Sequence, residues 1–310
     1  MNSPITTRTG WPNVDRTMLR GAVAMCVAML FWTLAETTFS LIPRDYSVYQ
    51  VVWTRYGVHL VLVFLLLGRR DIGRLFRTRR PGLQLVRSAC MLGMPVFFAL
   101  ILGSGPVARV WPAFWLAPIL VVGLAIPLLG ERPPMHRWLA TGLGLLGALS
   151  FLHVSSDLLA WGALLALGSG ASFGLYLVLT RALMSESLES RLFYTAVVPF
   201  LCLTPVTLFM WRTPTPRVLL LMALIGAVGL VSLWALDRAL DLAPASFGAP
   251  FLFTFFLVEL GVSVLRGAMP GWRRVLGACV IVAAAAWALF AESRRGRRGS
   301  GAELLSPDGV

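Results

Sequence analysis

The chain has 310 residues, 57% of them hydrophobic and 13% charged, with 27 basic against 14 acidic side chains and a formal net charge of +13. Soluble domains carry about 25% charged residues, so this composition excludes a water-facing globular surface. Every basic residue is an arginine, and the excess reads as topology and contact with anionic lipid headgroups, not as nucleic-acid binding.

Residues 1–18 are a polar segment with no small-residue cleavage site of signal-peptide type, so no processing is expected. Ten apolar stretches follow, at 20–42, 46–67, 83–103, 107–129, 134–153, 158–180, 190–211, 216–236, 245–265 and 273–290. A helix rises ~1.5 Å per residue and a bilayer core is ~30 Å thick, so roughly 20 apolar residues cross it. Runs such as 139–152 and 278–290 lack the period of two that a β-barrel needs. The expected class is an all-α polytopic membrane protein with ten transmembrane helices. With a cytoplasmic amino terminus, 18 arginines fall on the cytoplasmic side and seven outside, leaving Arg55 and Arg87 within spans. That bias predicts cytoplasmic N and C termini. Residues 293–310, rich in Arg, Gly and Ser, are expected to form a disordered cytoplasmic tail.

The halves echo one another at an offset of about 135 residues. Ala99-Leu100, Ala108 and the proline-bearing fourth span match Ala235-Leu236, Ala243 and the ninth span with Pro250, and Gly142 matches Gly277. Five crossings per unit make the repeat inverted, so residues 19–153 and 154–292 are expected to be two inverted five-helix repeats, an arrangement typical of secondary transporters. Prolines concentrate in span four (Pro112, Pro118, Pro127), with Pro95 in span three, Pro199 and Pro205 in span seven, and Pro250 in span nine. Each removes a backbone hydrogen bond, and the carbonyl left over must face protein or water. Pro112, Pro118 and Pro250 are the candidate hinges; a static packing kink is the alternative.

Glu36, Arg55 and Glu259 sit inside spans. Counted from the proposed outer span ends, the two glutamates lie ~9 Å deep and Arg55 ~13.5 Å. A charge there costs at least ~2–3 kcal/mol and must pair or meet water. The functional expectation is a substrate-binding or gating pair of Arg55 with one carboxylate, and proton exchange at Glu36 or Glu259; the alternative is a buried pair that fixes helix register. Trp32, Tyr56, Trp115 and Tyr176 lie deep enough to stack on a solute or to pack helices, and His59 either protonates beside Arg55 or is a hydrogen-bonded core histidine. Trp111, Trp161, Trp211 and Trp272 fall at outer span ends, as an interfacial belt.

Several apparent motifs carry no chemistry. Gly142-Leu-Gly144-Leu-Leu-Gly147 has dinucleotide-loop spacing but lies inside a span, where close helix packing explains it, as it does Gly170-x-x-x-Gly174. Asp237, Arg238 and Asp241 are expected to close span eight by snorkelling and an Arg238–Asp241 pair. His153, Ser155 and Ser156 lie in a short outer loop. Cys26, Cys90, Cys202 and Cys279 are isolated within spans. Neither an enzyme, a metal site nor a cofactor is expected.

Together these residues resemble the drug/metabolite transporter superfamily, in particular its bacterial EamA-type branch. The resemblance covers about residues 20–290 and rests on Phe31-Trp32, Arg55, Arg87, the stretch from Ala99-Leu100 to Ala108, Pro118, Gly130-Glu131 ahead of Gly142, and Leu242-Ala-Pro-Ala-Ser-Phe-Gly-Ala-Pro250. Glu131 is expected to serve the unpaired amides that open span five. The second half departs from the pattern, reading Arg266-Gly267-Ala268 where a second Gly-Glu is expected. The resemblance implies a central cavity between spans one to four and six to nine, with spans five and ten aside as scaffold or dimer surface, in a monomer or homodimer. It also implies alternating-access movement, without ATP, of a small metabolite across the bacterial inner membrane. Arg55 beside carboxylates would suit an amino acid or related zwitterion, exported and proton-coupled. The alternatives are an uptake carrier for a cofactor-like metabolite such as S-adenosylmethionine, and a non-transporting membrane scaffold or receptor.

Overall fold

The structure, a computed structural model, describes residues 16–68, 71–104, 107–152 and 160–303. Arg8 and the rest of residues 1–15, Arg69 and Arg70, the His153–Ser156 loop and residues 304–310 lie outside them, and the side chains of Ala108, Arg297 and Arg298 are likewise outside the description. The helices are α1 (Arg16–Phe39), α2 (Val48–Val63), α3 (Gly73–Phe76), α4 (Pro81–Ser104), α5 (Val107–Phe114), α6 (Ala117–Leu129), α7 (Met135–Leu149), α8 (Ala160–Ala182), α9 (Leu188–Phe209), α10 (Pro216–Leu242), α11 (Ala245–Gly248), α12 (Thr254–Leu265) and α13 (Trp272–Glu303). No strand occurs among the described residues.

Nine helical segments among the described residues are long and apolar enough to cross a membrane, with α11 to α12 counting as one segment, Ala245–Leu265. The fifth stretch is occupied by α7, whose 15 residues fall short of that length. The chain is a multi-pass membrane protein: large apolar side chains such as Leu146, Trp161, Leu208 and Leu220 stand exposed on its flanks, where lipid replaces water. The final helix runs to Glu303, so residues 293–303, expected as disordered tail, continue the tenth stretch as helix; Ala291, Glu292, Arg294 and Arg295 are all good helix formers.

Local chemistry sets the boundaries. Ser47, Ser187 and Thr215 accept the amides of Gln50, Ser190 and Val218 as N-caps. Gly130 ends α6 at φ 66°, a left-handed conformation that a side chain disfavours.

Hydrogen bonds fix the arrangement of helix ends. At one end, Gln50 at the start of α2 pairs with the backbone of Arg212 beyond α9, and the Thr215 amide donates to Tyr46. At the other, the start of α4 meets the end of α8, the start of α9 and the end of α10 through Arg87. These are called below the α1–α2 end and the α10–α11 end. α1 packs against α10 and α12, α2 against α9 and α10, and α4 against α8 and α9, while α7 and α13 lie against each other.

Two spans are broken. Span four stops at Phe114, turns through Trp115 and Leu116, and restarts at Ala117. Pro118 has no amide to donate to the Phe114 carbonyl. Pro112, by contrast, sits inside α5 without ending it. The broken backbone is met by α8 at Gly170, where an added Cβ would stand 2.5 Å from the Phe114 carbonyl oxygen. Span nine changes from α11 to a 3-10 turn, Ala249–Phe253, with Pro250 near its start, and then to α12. The breaks face one another: Trp115 packs on Phe253, Phe255 and Phe256 at centroid distances of 6.1, 4.9 and 4.5 Å.

Candidate functional site

A cavity of about 60 Å³, set in a cleft open to the surroundings, lies between α1, α2, α4, α5, α8, α10 and α12. It reaches the α1–α2 end, where Phe39 closes α1 and Val48 opens α2. Its walls are aromatic: Trp32, Phe39, Phe98, Trp111, Phe114, Trp115 and Phe255. Trp111, expected in an interfacial belt, is therefore a cavity residue, stacked on Phe114 at 4.9 Å.

Two charged side chains face this space. Glu36 lies one turn beyond Trp32, whose indole Nε1 donates to its Oε1 at 3.2 Å. Arg55 lines the cavity from α2, and its buried Nε has no hydrogen-bond partner. No ion pair joins Arg55 to Glu36 among the described residues, so the expected direct pair is instead a cation and an anion on the walls of one cavity. Arg55 fits because α10 offers a glycine: a Cβ at Gly229 would come within 2.9 Å of its Nε and 3.2 Å of its Nη2. Trp115 adds a buried indole N–H that also lacks a partner. The arrangement offers a guanidinium, a carboxylate and an indole donor within aromatic walls, which suits a small solute carrying both acceptors and donors.

The other candidates fall elsewhere. His59 and Tyr56 are buried outside the cavity lining, edge to face at 5.5 Å, with the Gly226 backbone beside the His59 ring. Tyr176 belongs to the opposite end of the molecule. Glu259 stands exposed on α12, away from the cavity. Leu257 and Leu260 on either side of it pack against the core, so Glu259 lies on the outward face of that helix.

The α10–α11 end is filled by two polar networks. In the first, the fully buried Arg87 donates to Thr180 at 2.7 Å, to the Arg191 carbonyl at 3.0 Å, to Tyr176 at 3.0 Å and to both Asp237 oxygens at 2.9 and 3.1 Å. Arg191 lies 3.8 Å from Asp237 and donates to Asp241 at 2.7 Å. This replaces the expected Arg238–Asp241 pair: Arg238 is exposed, while Asp237 and Asp241 turn to arginines on other helices. In the second network, Glu131 accepts the Ala245 and Ser246 amides at 2.9 and 3.2 Å and the Ser246 hydroxyl. Arg137 donates to Ser246 and to Glu292, which also meets His136. Glu131 thus serves the start of span nine rather than span five, whose first helical residue follows Pro134 with no side-chain cap.

Sequence reasoning marked Arg87 only as a resemblance and a charge within the start of span three, set Asp237 aside as an end-of-span residue, and counted Arg191 only toward topology. The available signal was the pairing of Asp237 with Asp241, one turn apart on one face and with too few local cations.

These features define a class: a helical, multi-pass membrane protein with an aromatic-walled cavity towards one end and buried ionic networks at the other. Residues 19–152 match the EamA-like transporter family. The chain is 26% identical over 90% of its length to a protein named riboflavin transporter from Vibrio cholerae serotype O1, covering 96% of that protein. It is 24% identical over 70% of its length to a protein named S-adenosylmethionine uptake transporter from Rickettsia prowazekii, covering 75% of it. A crystal structure superposes with a TM-score of 0.75 at 18% identity, over 88% of this chain and 98% of that one, a likeness of fold. Residues 19–152 thus form an EamA-like unit, and along most of its length the chain is similar to proteins named as small-metabolite transporters.

Proposed function

We propose that the protein is a secondary transporter that exports an amino acid or related zwitterion across the bacterial inner membrane by alternating access. The observation that carries this is the Arg55 guanidinium, its Nε without a hydrogen-bond partner, sharing an aromatic cavity with Glu36. Cavity at one end and ionic closure at the other support reading this conformation as open at the α1–α2 end, the outer side for cytoplasmic termini. The facing breaks of spans four and nine support treating residues 19–153 and 154–292 as inverted repeats moving about Pro118 and Pro250. Glu36, rather than the exposed Glu259, is the carboxylate we assign to proton coupling.

Purified protein in proteoliposomes tests this with a counterflow panel of amino acids, riboflavin and S-adenosylmethionine, with and without a pH gradient. Saturable counterflow of a zwitterion, lowered at least tenfold by Arg55→Gln and losing its pH dependence in Glu36→Gln, is the expected result. Counterflow of riboflavin or S-adenosylmethionine alone would favour the second reading, a cofactor-type carrier, to which the aromatic walls and the named relatives lend weight. Folded protein with no counterflow at all would leave the scaffold reading.

A further inference from the structure

The α4–α9 seam at the α10–α11 end holds an unusual concentration of buried polar atoms without partners. On α4, Gln84 is fully buried with both amide atoms unbonded, and Ser88, on the other side of Arg87, is fully buried with its hydroxyl unbonded. On α9, the same is true of the Ser190 hydroxyl, and the adjacent Arg191 is 1% exposed with Nε and Nη1 unbonded. The two stretches are in contact, since Arg87 donates to the Arg191 carbonyl at 3.0 Å.

The Arg191–Asp241 pair is itself only half used. A single contact, Nη2 to Oδ2 at 2.7 Å, joins them, leaving Arg191 Nη1 and the Asp241 Oδ1 without hydrogen-bond partners and Nε with only its 3.8 Å approach to Asp237. A buried polar group left unbonded is destabilising, so a seam intended only as a seal would gain by replacing Gln84 and Ser88 with apolar residues. Donors beside a guanidinium, with an unused carboxylate oxygen across from it, complement a group bearing both an oxyanion and a cation. The cavity at the α1–α2 end offers the same pair of charges in Arg55 and Glu36.

We infer that this seam is a second solute site in the transport path, in which Arg191, Gln84 and Ser190 take the carboxylate of a zwitterion and Asp241 its ammonium group once α4 and α9 part. The inference rests on the transport reading and extends it to the opposite end of the path.

Single cysteines at Ser88, Ser190 and, in the first cavity, Ser169 test it in full-length protein whose Cys26, Cys90, Cys202 and Cys279 are replaced by alanine. Vesicles of both orientations receive sulfonatoethyl or trimethylammonioethyl methanethiosulfonate, each rate being normalised to that reagent's reaction with free cysteine. The expected result is labelling of Ser169→Cys from one face, and of Ser88→Cys and Ser190→Cys from the opposite face. At Ser190→Cys, adding Arg191→Gln should slow the sulfonate reagent at least tenfold relative to the ammonium reagent, and Asp241→Asn should do the reverse. Because Arg191 is deeply buried, Asp241→Asn decides alone if Arg191→Gln does not fold. Labelling at Ser169→Cys with none at the other two overturns the second site and leaves the first cavity standing. Labelling at all three without charge selectivity overturns the zwitterion assignment. Failure at Ser169→Cys as well removes the transport reading on which the inference rests.

Discussion

A guanidinium inside a membrane span must find partners or water, because leaving it bare in hydrocarbon costs several kcal/mol. Arg87 is surrounded by Thr180, Tyr176, Asp237 and a carbonyl, whereas Arg55 keeps an unpartnered Nε against a cavity. The two should therefore fail differently. Asp237→Asn leaves Arg87 without its buried counter-charge, and breaking such a pair costs about 3–5 kcal/mol; thermal unfolding in detergent should drop markedly, while the exposed Arg238→Gln should change stability by less than about 0.5 kcal/mol. Arg55→Gln breaks no ion pair, so it should unfold near the wild-type temperature while losing transport. Gly229→Ala offers a check on position without changing any charge: its methyl would displace Arg55 and His59, and transport should fall at least fivefold with the protein still folded. Glu36 and Arg55 were legible as candidates because a charge in an apolar run is conspicuous. Glu259 was equally conspicuous and falls elsewhere, since a uniformly apolar helix does not say which of its faces turns inward: Leu257 and Leu260 do, and Glu259 does not.

At the level of elements, proline drew attention to spans four and nine because the missing amide is a covalent fact, but Pro95 in α4 and Pro199 and Pro205 in α9 lie inside unbroken helices, so proline alone did not tell which spans break. What binds the breaks in place was not legible. Glu131 meets Ala245 and Ser246, 114 and 115 positions away, and its only local candidate, the start of α7, was the wrong helix. Glu131→Ala should cost about 1.5–3 kcal/mol, the range for hydrogen bonds to a charged group. It should also raise hydrogen exchange at the amides of Ala245 and Ser246 before exchange elsewhere in α10 changes. Gly170-x-x-x-Gly174 was read as a packing motif, and the structure supplies its partner, the backbone at the end of α5. Gly170→Ala, forced against the Phe114 carbonyl, should destabilise by about 1–3 kcal/mol.

For the whole molecule, membrane class and family followed from span length and from ordered, individually weak motifs, because both are carried by many residues at once. Crossing number is less redundant, since it turns on the 15 residues of α7. Ten crossings place both termini on the arginine-rich side, so a fluorescent reporter fused at Val310 should mature in the cytoplasm; nine crossings from the same start would place it outside, where a phosphatase fusion would become active. The meeting of both broken spans on Trp115 carries a further consequence. One indole is wedged between two kinks belonging to opposite halves of the chain, so neither kink straightens without displacing the ring the other leans on. Coupled in this way, the halves of the proposed alternating-access carrier would act as a toggle instead of two independent doors, and a toggle would spend little time with both doors ajar. Tight coupling, with little leak of ions through an empty carrier, would then be a property of that single ring contact.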